Sequence, residues 1–399
     1  MDWMTRREVF LRGCALVVAA AGVLSAGAVV RAAERGEDRF IQNTRQLTFE
    51  GRRSGECYFS PDGNKLVFMS ERQPGNPFFQ IYALDFQTGD VSRISTGQGK
   101  TTCPFFQMGT GLIEFASTHL DADFEQKARE EYARRQEERQ RRGAWDYDEY
   151  YDIFVAQPDG RIVKRLTTAL GYDAEGAYSP DGKQIVFCSM RDAYPVGKLS
   201  DEDRAFFDKQ PEYFAEIYIM DADGSNQTRL TDWPGYDGGP FFTPDGQRIV
   251  WRHFDETGLL ADVYTMELDG SGRRRLTDFK CMSWAPFFHP SGEYCIFVSN
   301  KLGFSNFELF IVDAMGERQP VRVTYTEGFD GLPTFSPDGK RIVWTSNHTD
   351  TGRSQIFLAN WDHEAARAAL SASPTRGSAE PASSSAGAGG ASDDAAPGN

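Results

Sequence analysis

Six polar side chains stand at one recurring position, each six residues ahead of a turn motif: Ser54, Thr101, Asp173, Asp237, Ser283 and Asp330. Two positions after the first and third of these stand Glu56 and Glu175. Brought around one axis, they would make a polar, partly acidic mouth. Such a mouth could capture a peptide amine, a basic side chain or a metal ion, or serve acid–base chemistry, with Asp173 and Glu175 the first pair to consider. Short polar residues beside turns also bond neighbouring backbone, so the same column reads equally as architecture.

Other chemistry is sparse. The chain has no Gly-x-Ser-x-Gly elbow, no His-Glu-x-x-His pair, no phosphate-cradling glycine loop and no dinucleotide fingerprint. His119, His253 and His348 fall in different repeats, His289 in a turn and His363 beyond the last repeat, a scatter from which no metal site is expected. The cysteines are 14, 57, 103, 188, 281 and 295, with no C-x-x-C pair. Cys57 and Cys103 occupy neighbouring positions in consecutive repeats and could pair, but buried free thiols are the simpler expectation. No cofactor is expected. A net charge of −15 opposes nucleic acid and anionic membrane as partners.

The elements that must position these residues repeat six times. Turn motifs begin at Ser60, Gln107, Ser179, Thr243, His289 and Ser336. An aromatic-rich segment such as "PFFTPDG" precedes an apolar one ("RIVWRH"), then a third ("DVYTMEL") and a short last one ("RRLTD"). Short β-branched and aromatic runs between Gly, Pro and Asp predict four strands per unit, and this period predicts a β-propeller. The sixth unit lacks its fourth strand, while "NTRQLTFEG" (Asn43–Gly51) matches that strand ahead of the first unit. The fold class is therefore all-β, a six-bladed β-propeller closed by an N-terminal strand that completes the last blade, with a helical insertion in blade 2. Recurring residues ahead of the third strand (Gln80, Asp152, Glu216, Asp262, Glu308, Gln355) and opening the fourth (Arg93, Arg165, Arg229, Arg275, Arg322) suggest ion pairing that serves architecture.

With its Ser-Pro-Asp-Gly turns and Arg-Leu-Thr strands, the chain resembles the TolB-type propeller family over residues 43–362. It departs in having only residues 34–42 between the N-terminal segment and the ring, where the name-giving protein carries an α/β domain. A role as the Tol–Pal component itself is therefore not expected. Residues 1–33 resemble a twin-arginine signal peptide, with Arg6-Arg7 before an Ala- and Gly-rich apolar run, so an exported, periplasmic protein with no span after cleavage is expected. After Asp362 comes a short helical candidate, "HEAARAALSA", and residues 363–399 are assigned to an Ala/Ser/Gly/Pro-rich disordered tail.

Strand order puts the starts of the inner strands and the long loops between second and third strands on one face. Both insertions fall there. The first ends in "WDYDEYYD", whose Trp145, Tyr147, Tyr150 and Tyr151 would form a partner-binding patch. The second carries Tyr194, Phe206, Phe207, Tyr213 and Phe214. The expected function is a non-catalytic, monomeric exported propeller that binds a protein or peptide, such as an envelope protein or hydrolase, through this face. The alternative is a carbohydrate- or peptide-active hydrolase or lyase using the mouth carboxylates.

Overall fold

The Ser-Pro-Asp-Gly turns reverse the chain because one hydroxyl closes each of them. In the computed structural model, which describes residues 39–137, 147–195 and 197–377, Ser60 donates to Asp62 (2.6 Å) and accepts the amide of Lys65 (2.9 Å). Ser179, Thr243 and Ser336 repeat the arrangement with Asp181, Asp245 and Asp338. Each turn hands the inner strand of a blade to its second strand.

Six antiparallel four-stranded sheets result. Blades 1 to 5 occupy residues 54–93, 101–165, 174–229, 236–275 and 283–322. Blade 6 takes its inner three strands from Asp330–Phe335, Arg341–Ser346 and Gln355–Trp361, and its outer strand is Ile41–Gln46 from the other end of the chain. Ile41 lies opposite Trp361 and Arg45 opposite Leu358. Packing the blades face to face buries apolar layers between them, including Phe68, Phe115, Phe187, Trp251 and Phe297.

The Arg-Leu-Thr strands have a physical reason. In each blade a hydroxyl near the end of the outer strand accepts the amide of the third strand: Ser95 from Ile81, Thr167 from Ile153, Thr231 from Ile217, Thr277 from Val263 and Thr324 from Leu309, all at 2.8–2.9 Å. In blade 6 the N-terminal strand supplies the equivalent, Thr48, which accepts from Ile356 at 3.0 Å. The arginines pair within their own blades, Arg165 with Asp152 (2.5 Å), Arg275 with Asp262 (2.6 Å), Arg322 with Glu308 (2.7 Å), and Arg229 with Glu216.

Among the described residues three α-helices decorate the ring: α1 (Phe124–Gln136) in blade 2, α2 (Asp201–Phe207) in blade 3 and α3 (His363–Ala372) after blade 6. The last corrects the boundary set at residue 363. Asp362 caps α3 by accepting the amide of Ala365 at 2.9 Å, and Ala366, Ala369 and Leu370 are buried against blades 5 and 6. Small apolar residues three and four apart gave α3 a stripe to bury. Contacts continue to Arg376, whose guanidinium reaches Asp278 (3.0 Å). The signal-like residues 1–33, Trp145 and the tail from residue 378 lie outside the described residues.

Candidate functional site

A bulge interrupts the inner strand of every blade. At each bulge one residue adopts a left-handed backbone: Glu56, Cys103, Glu175, Gly239, Ala285 and Leu332, with φ between 41° and 58°. Each stands two residues beyond one of the six polar positions. Bulges re-aim side chains, and these six ring the axis. Blades 1 to 3 contribute Glu56, Cys103 and Glu175; blades 4 to 6 contribute no charge from this position. Glycine is required at 239, because a Cβ there would strike the Arg252 guanidinium.

Two residues further along, aromatic rings meet across the axis. Tyr58 contacts Phe105 (5.1 Å between centroids), Phe241 (5.7 Å) and Phe287 (6.3 Å), and Phe241 contacts Phe287 (5.3 Å). Rings from blades 1, 2, 4 and 5 plug the channel at this level. The acidic ring therefore lines a cup closed at one end and facing the elaborated loops.

The two ring carboxylates differ in environment. Glu175 accepts from Tyr236 Oη and Gly239 N (2.5 Å each) and pairs with Arg252 (2.9 Å). Glu56 accepts from Tyr58 Oη (3.0 Å) and lies 3.5 Å from Cys103 Sγ. Burial, reinforced by the charge of Glu175, pushes Glu56 up to about 7. A third carboxylate, unanticipated from sequence, belongs to Glu114 in the second strand of blade 2. It is fully buried, and neither oxygen has a hydrogen-bond partner among the described residues. Burial, reinforced by the charge of Glu56, raises it well above the usual carboxylate range. Its carboxyl group occupies the space a Cβ at Gly176 would need, 2.6 Å away. A Glu inside "IEFAS" was the only available signal.

The six polar positions themselves do not face the cup. Asp173 is buried, bonded to Ser189 Oγ (2.5 Å) and ion-paired with Arg191 (2.7 Å); burial outweighs Arg191 and raises its carboxyl. Asp237 accepts from Trp251 Nε1 (2.8 Å) and meets His253 Nδ1 (2.9 Å). Asp330 accepts from Trp344 Nε1 (3.0 Å). Ser54 bonds Ser70 (3.0 Å), Thr101 the carbonyl of Phe79 (2.9 Å) and Ser283 Ser299 (3.3 Å). In five blades these positions tie the inner strand to the second strand; Thr101 instead reaches the end of blade 1. The ligand-facing reading is thus corrected for these six, whose side chains are taken up by neighbouring strands. No group of His, Cys, Asp and Glu suited to a metal ion occurs among the described residues. Cys57, Cys103, Cys188, Cys281 and Cys295 are free thiols.

Comparison with known proteins places this geometry. The model of the TolB beta propeller domain matches residues 205–388. An uncharacterized Agrobacterium fabrum protein is 35% identical over 200 residues, 49% of this chain and 54% of that one. A TolB homologue from Chlorobium luteolum is 26% identical over 147 residues, 33% of each chain. The chain thus spans about half or less of these curated relatives' lengths. Among solved structures, that of a putative TolB from Agrobacterium tumefaciens superposes with a TM-score of 0.53 at 21% identity, covering 80% of this chain and 94% of the other. A Xanthomonas campestris gluconolactonase superposes at 0.51 and 14% identity, covering 81% and 91%, a likeness of fold alone.

The chain is a six-bladed β-propeller whose residues 205–388 match the TolB beta propeller domain.

On the elaborated face of this propeller, the blade 2 insertion is clamped by charge. Lys127 bonds Asp121 (2.7 Å) and Asp148 (2.9 Å), and Arg135 reaches Glu71 (3.2 Å) and the carbonyl of Pro77 (2.6 Å). The expected tyrosine patch is largely packed away. Tyr151 is buried against Tyr172, Tyr147 is half-buried beside the same ring, and only Tyr150 is exposed, with Lys127 over it. In the blade 3 insertion Tyr194, Phe206, Phe207, Tyr213 and Phe214 stack on one another, a small core of their own. Besides Tyr132 and Tyr150, what stands exposed on this face is aliphatic or phenyl: Phe49, Leu120, Leu170, Leu259, Leu260, Leu302 and Phe304.

Proposed function

We propose that this TolB-type propeller is an exported binding protein that docks a protein or peptide partner on its elaborated face. One observation carries the reading. Of the twelve large apolar side chains exposed among the described residues, nine stand on loops or insertions of that face. Two adjacent blades hold theirs on hydrogen-bonded turns. In blade 5, Asn300 accepts the amide of Gly303 (3.1 Å) and donates to the carbonyl of Phe304 (3.3 Å), leaving the Phe304 ring 72% exposed. In blade 4, Asp255 accepts the amides of Gly258 (2.9 Å) and Leu260 (3.2 Å), so that Leu259 and Leu260 project. Apolar groups held in water by ordered turns lose nothing in loop entropy when a partner covers them. Photo-crosslinkers placed at Phe304 and Leu259 should trap one defined partner, and the same probe at Met315 on the opposite face should trap none. Equal labelling from both faces would overturn the reading.

A second reading has its own observation: Glu56 near 7 beside Glu175 paired with Arg252. Carboxyls whose environments set them apart suit an acid and a base. On that reading the cup acts on a small carbohydrate or peptide substrate, and Glu56→Gln abolishes turnover while partner docking on the rim persists. A cup variant that loses docking but has no reaction to lose removes this second reading.

A further inference from the structure

Helix α3 is fastened to the face opposite the elaborated loops by two stacked histidines. His289, in the turn of blade 5, and His363, the first residue of α3, lie with ring centroids 4.3 Å apart and planes within 6°. The hydrogen bonds around His289 set its tautomer. The Ser291 amide donates to His289 Nδ1 (3.1 Å), so His289 carries its proton on Nε2 and donates it to the Gly339 carbonyl (3.2 Å). Trp361 Nε1 donates to Tyr294 Oη (2.7 Å), which in turn shares a hydrogen bond with His363 Nδ1 (2.9 Å). His363 Nε2 then faces Glu293, at 3.3 Å.

A proton added to His289 must go to Nδ1, where the Ser291 amide already points and where the Ser291 hydroxyl, at 3.0 Å, is the one acceptor in contact. It also places a charge flat against a second imidazole. Tyr294 packs against both imidazoles, 4.8 Å from His289 and 5.6 Å from His363 between centroids, and Phe335 meets His289 edge-on, so little water reaches the ring. Burial draws His289 down to about 4, with His363 adding to the effect and the Gly339 hydrogen bond and Glu293 opposing it. The charged groups around the pair are few. Glu293 is shared with Arg367 (2.9 Å), which also bonds Glu364 (3.2 Å), and the blade 6 turn that presents Gly339 carries Asp338 and Lys340, its carboxylate already bonded to Ser336 Oγ and Lys340 N.

We propose that the His289–His363 stack is an acid-released latch, holding the first turn of α3 on blades 5 and 6 at neutral pH and letting it go on acidification. The far end of the helix stays tethered through Arg318, which donates to the carbonyls of Ser371 (3.0 Å) and Ser373 (2.9 Å). Release therefore opens the helix from its N-terminal end and uncovers the apolar surface beneath Ala366 and Ala369. The sign follows from linkage. The released state binds the proton at an ordinary histidine pKa and the docked state only near 4, so the released fraction rises as pH falls, by at most about tenfold per unit between those values.

Hydrogen exchange of the full chain, read by mass spectrometry on peptides covering residues 363–370 and corrected for intrinsic pH dependence, tests this. Between pH 7 and pH 5 the protection of these amides should fall about tenfold while blade peptides keep theirs. In His289→Gln the fall should disappear; should that variant not fold, His289→Asn serves the same purpose. Unchanged protection of α3 in the wild type, a loss shared equally by the blades, or a fall that persists without His289 would each overturn the latch.

Discussion

The hydroxyl of Thr48 donates to Gln355 Oε1 at 2.6 Å and accepts the amide of Ile356, joining positions 307 residues apart and completing in blade 6 the tie that each other blade makes within its own repeat. Thr48→Val keeps the side chain's shape but leaves a buried amide and a buried glutamine without their partner. The ring should lose about 1–3 kcal/mol in chemical denaturation. Thr277→Val, the same change within blade 4, should cost a similar amount. A Thr48→Val protein as stable as the wild type would mean that the ring does not depend on this junction.

Asp173 belongs to the scaffold. Removing it in Asp173→Ala strands Arg191, a guanidinium with 15% of its side chain exposed, and the Ser189 hydroxyl. Breaking a buried pair from one side costs about 3–5 kcal/mol. The expected outcome is a markedly lower melting temperature with rim binding retained in the folded fraction. An unchanged melting temperature together with lost binding would return Asp173 to the ligand site.

Glu56 and His289 pull stability in opposite directions with pH. Glu56 titrates near 7 when folded and near 4.5 when unfolded, so between these values the folded chain binds more protons and stability falls as pH rises. Glu56→Gln should flatten that fall, by up to about 3 kcal/mol between pH 4.5 and 7. His289 stays neutral down to about 4, so its contribution is lost as pH drops from 6.5. Denaturation midpoints of the wild type and Glu56→Gln across pH 4.5–8 provide the check; parallel curves would show that Glu56 is an ordinary carboxylate.

Glu114 offers a test of the cup's interior. Its carboxyl group is buried with no partner among the described residues, and burial raises it well above the usual carboxylate range. Glu114→Gln preserves shape and neutrality and should change stability by less than about 1 kcal/mol. In Glu114→Lys a buried ammonium would face no compensating geometry, and the protein should fail to fold. Equal tolerance of both changes would place Glu114 in contact with solvent.

The turns and the ties were legible because they are local or repeated. Ser-Pro-Asp-Gly specifies its own hydrogen bonds, and Leu47-Thr48, the sixth apolar–hydroxyl pair of its kind, had nowhere to go but the incomplete blade. The function of the Asp column was not legible. Asp237 and Asp330 differ from Ser54 and Ser283 because Trp251 and Trp344 bring indole N–H groups to them from the second strand, a pairing that appears only once the register is known. The bulge that aims Glu56 and Glu175 at the axis leaves no mark in spacing. Helix α3 was assigned to the tail because its composition is Ala-rich, although Ala366, Ala369 and Leu370 already lay on one side of a helix.

Docking on the elaborated face is tested most directly by a paired substitution at the two ordered turns. Phe304→Ser with Leu259→Ser removes exposed side chains that touch little else, so the melting temperature should be nearly unchanged. Recovery of the crosslinked partner should fall at least about tenfold, whereas Met315→Ser on the opposite face should recover it fully. Full recovery by the Phe304→Ser, Leu259→Ser protein would contradict the account.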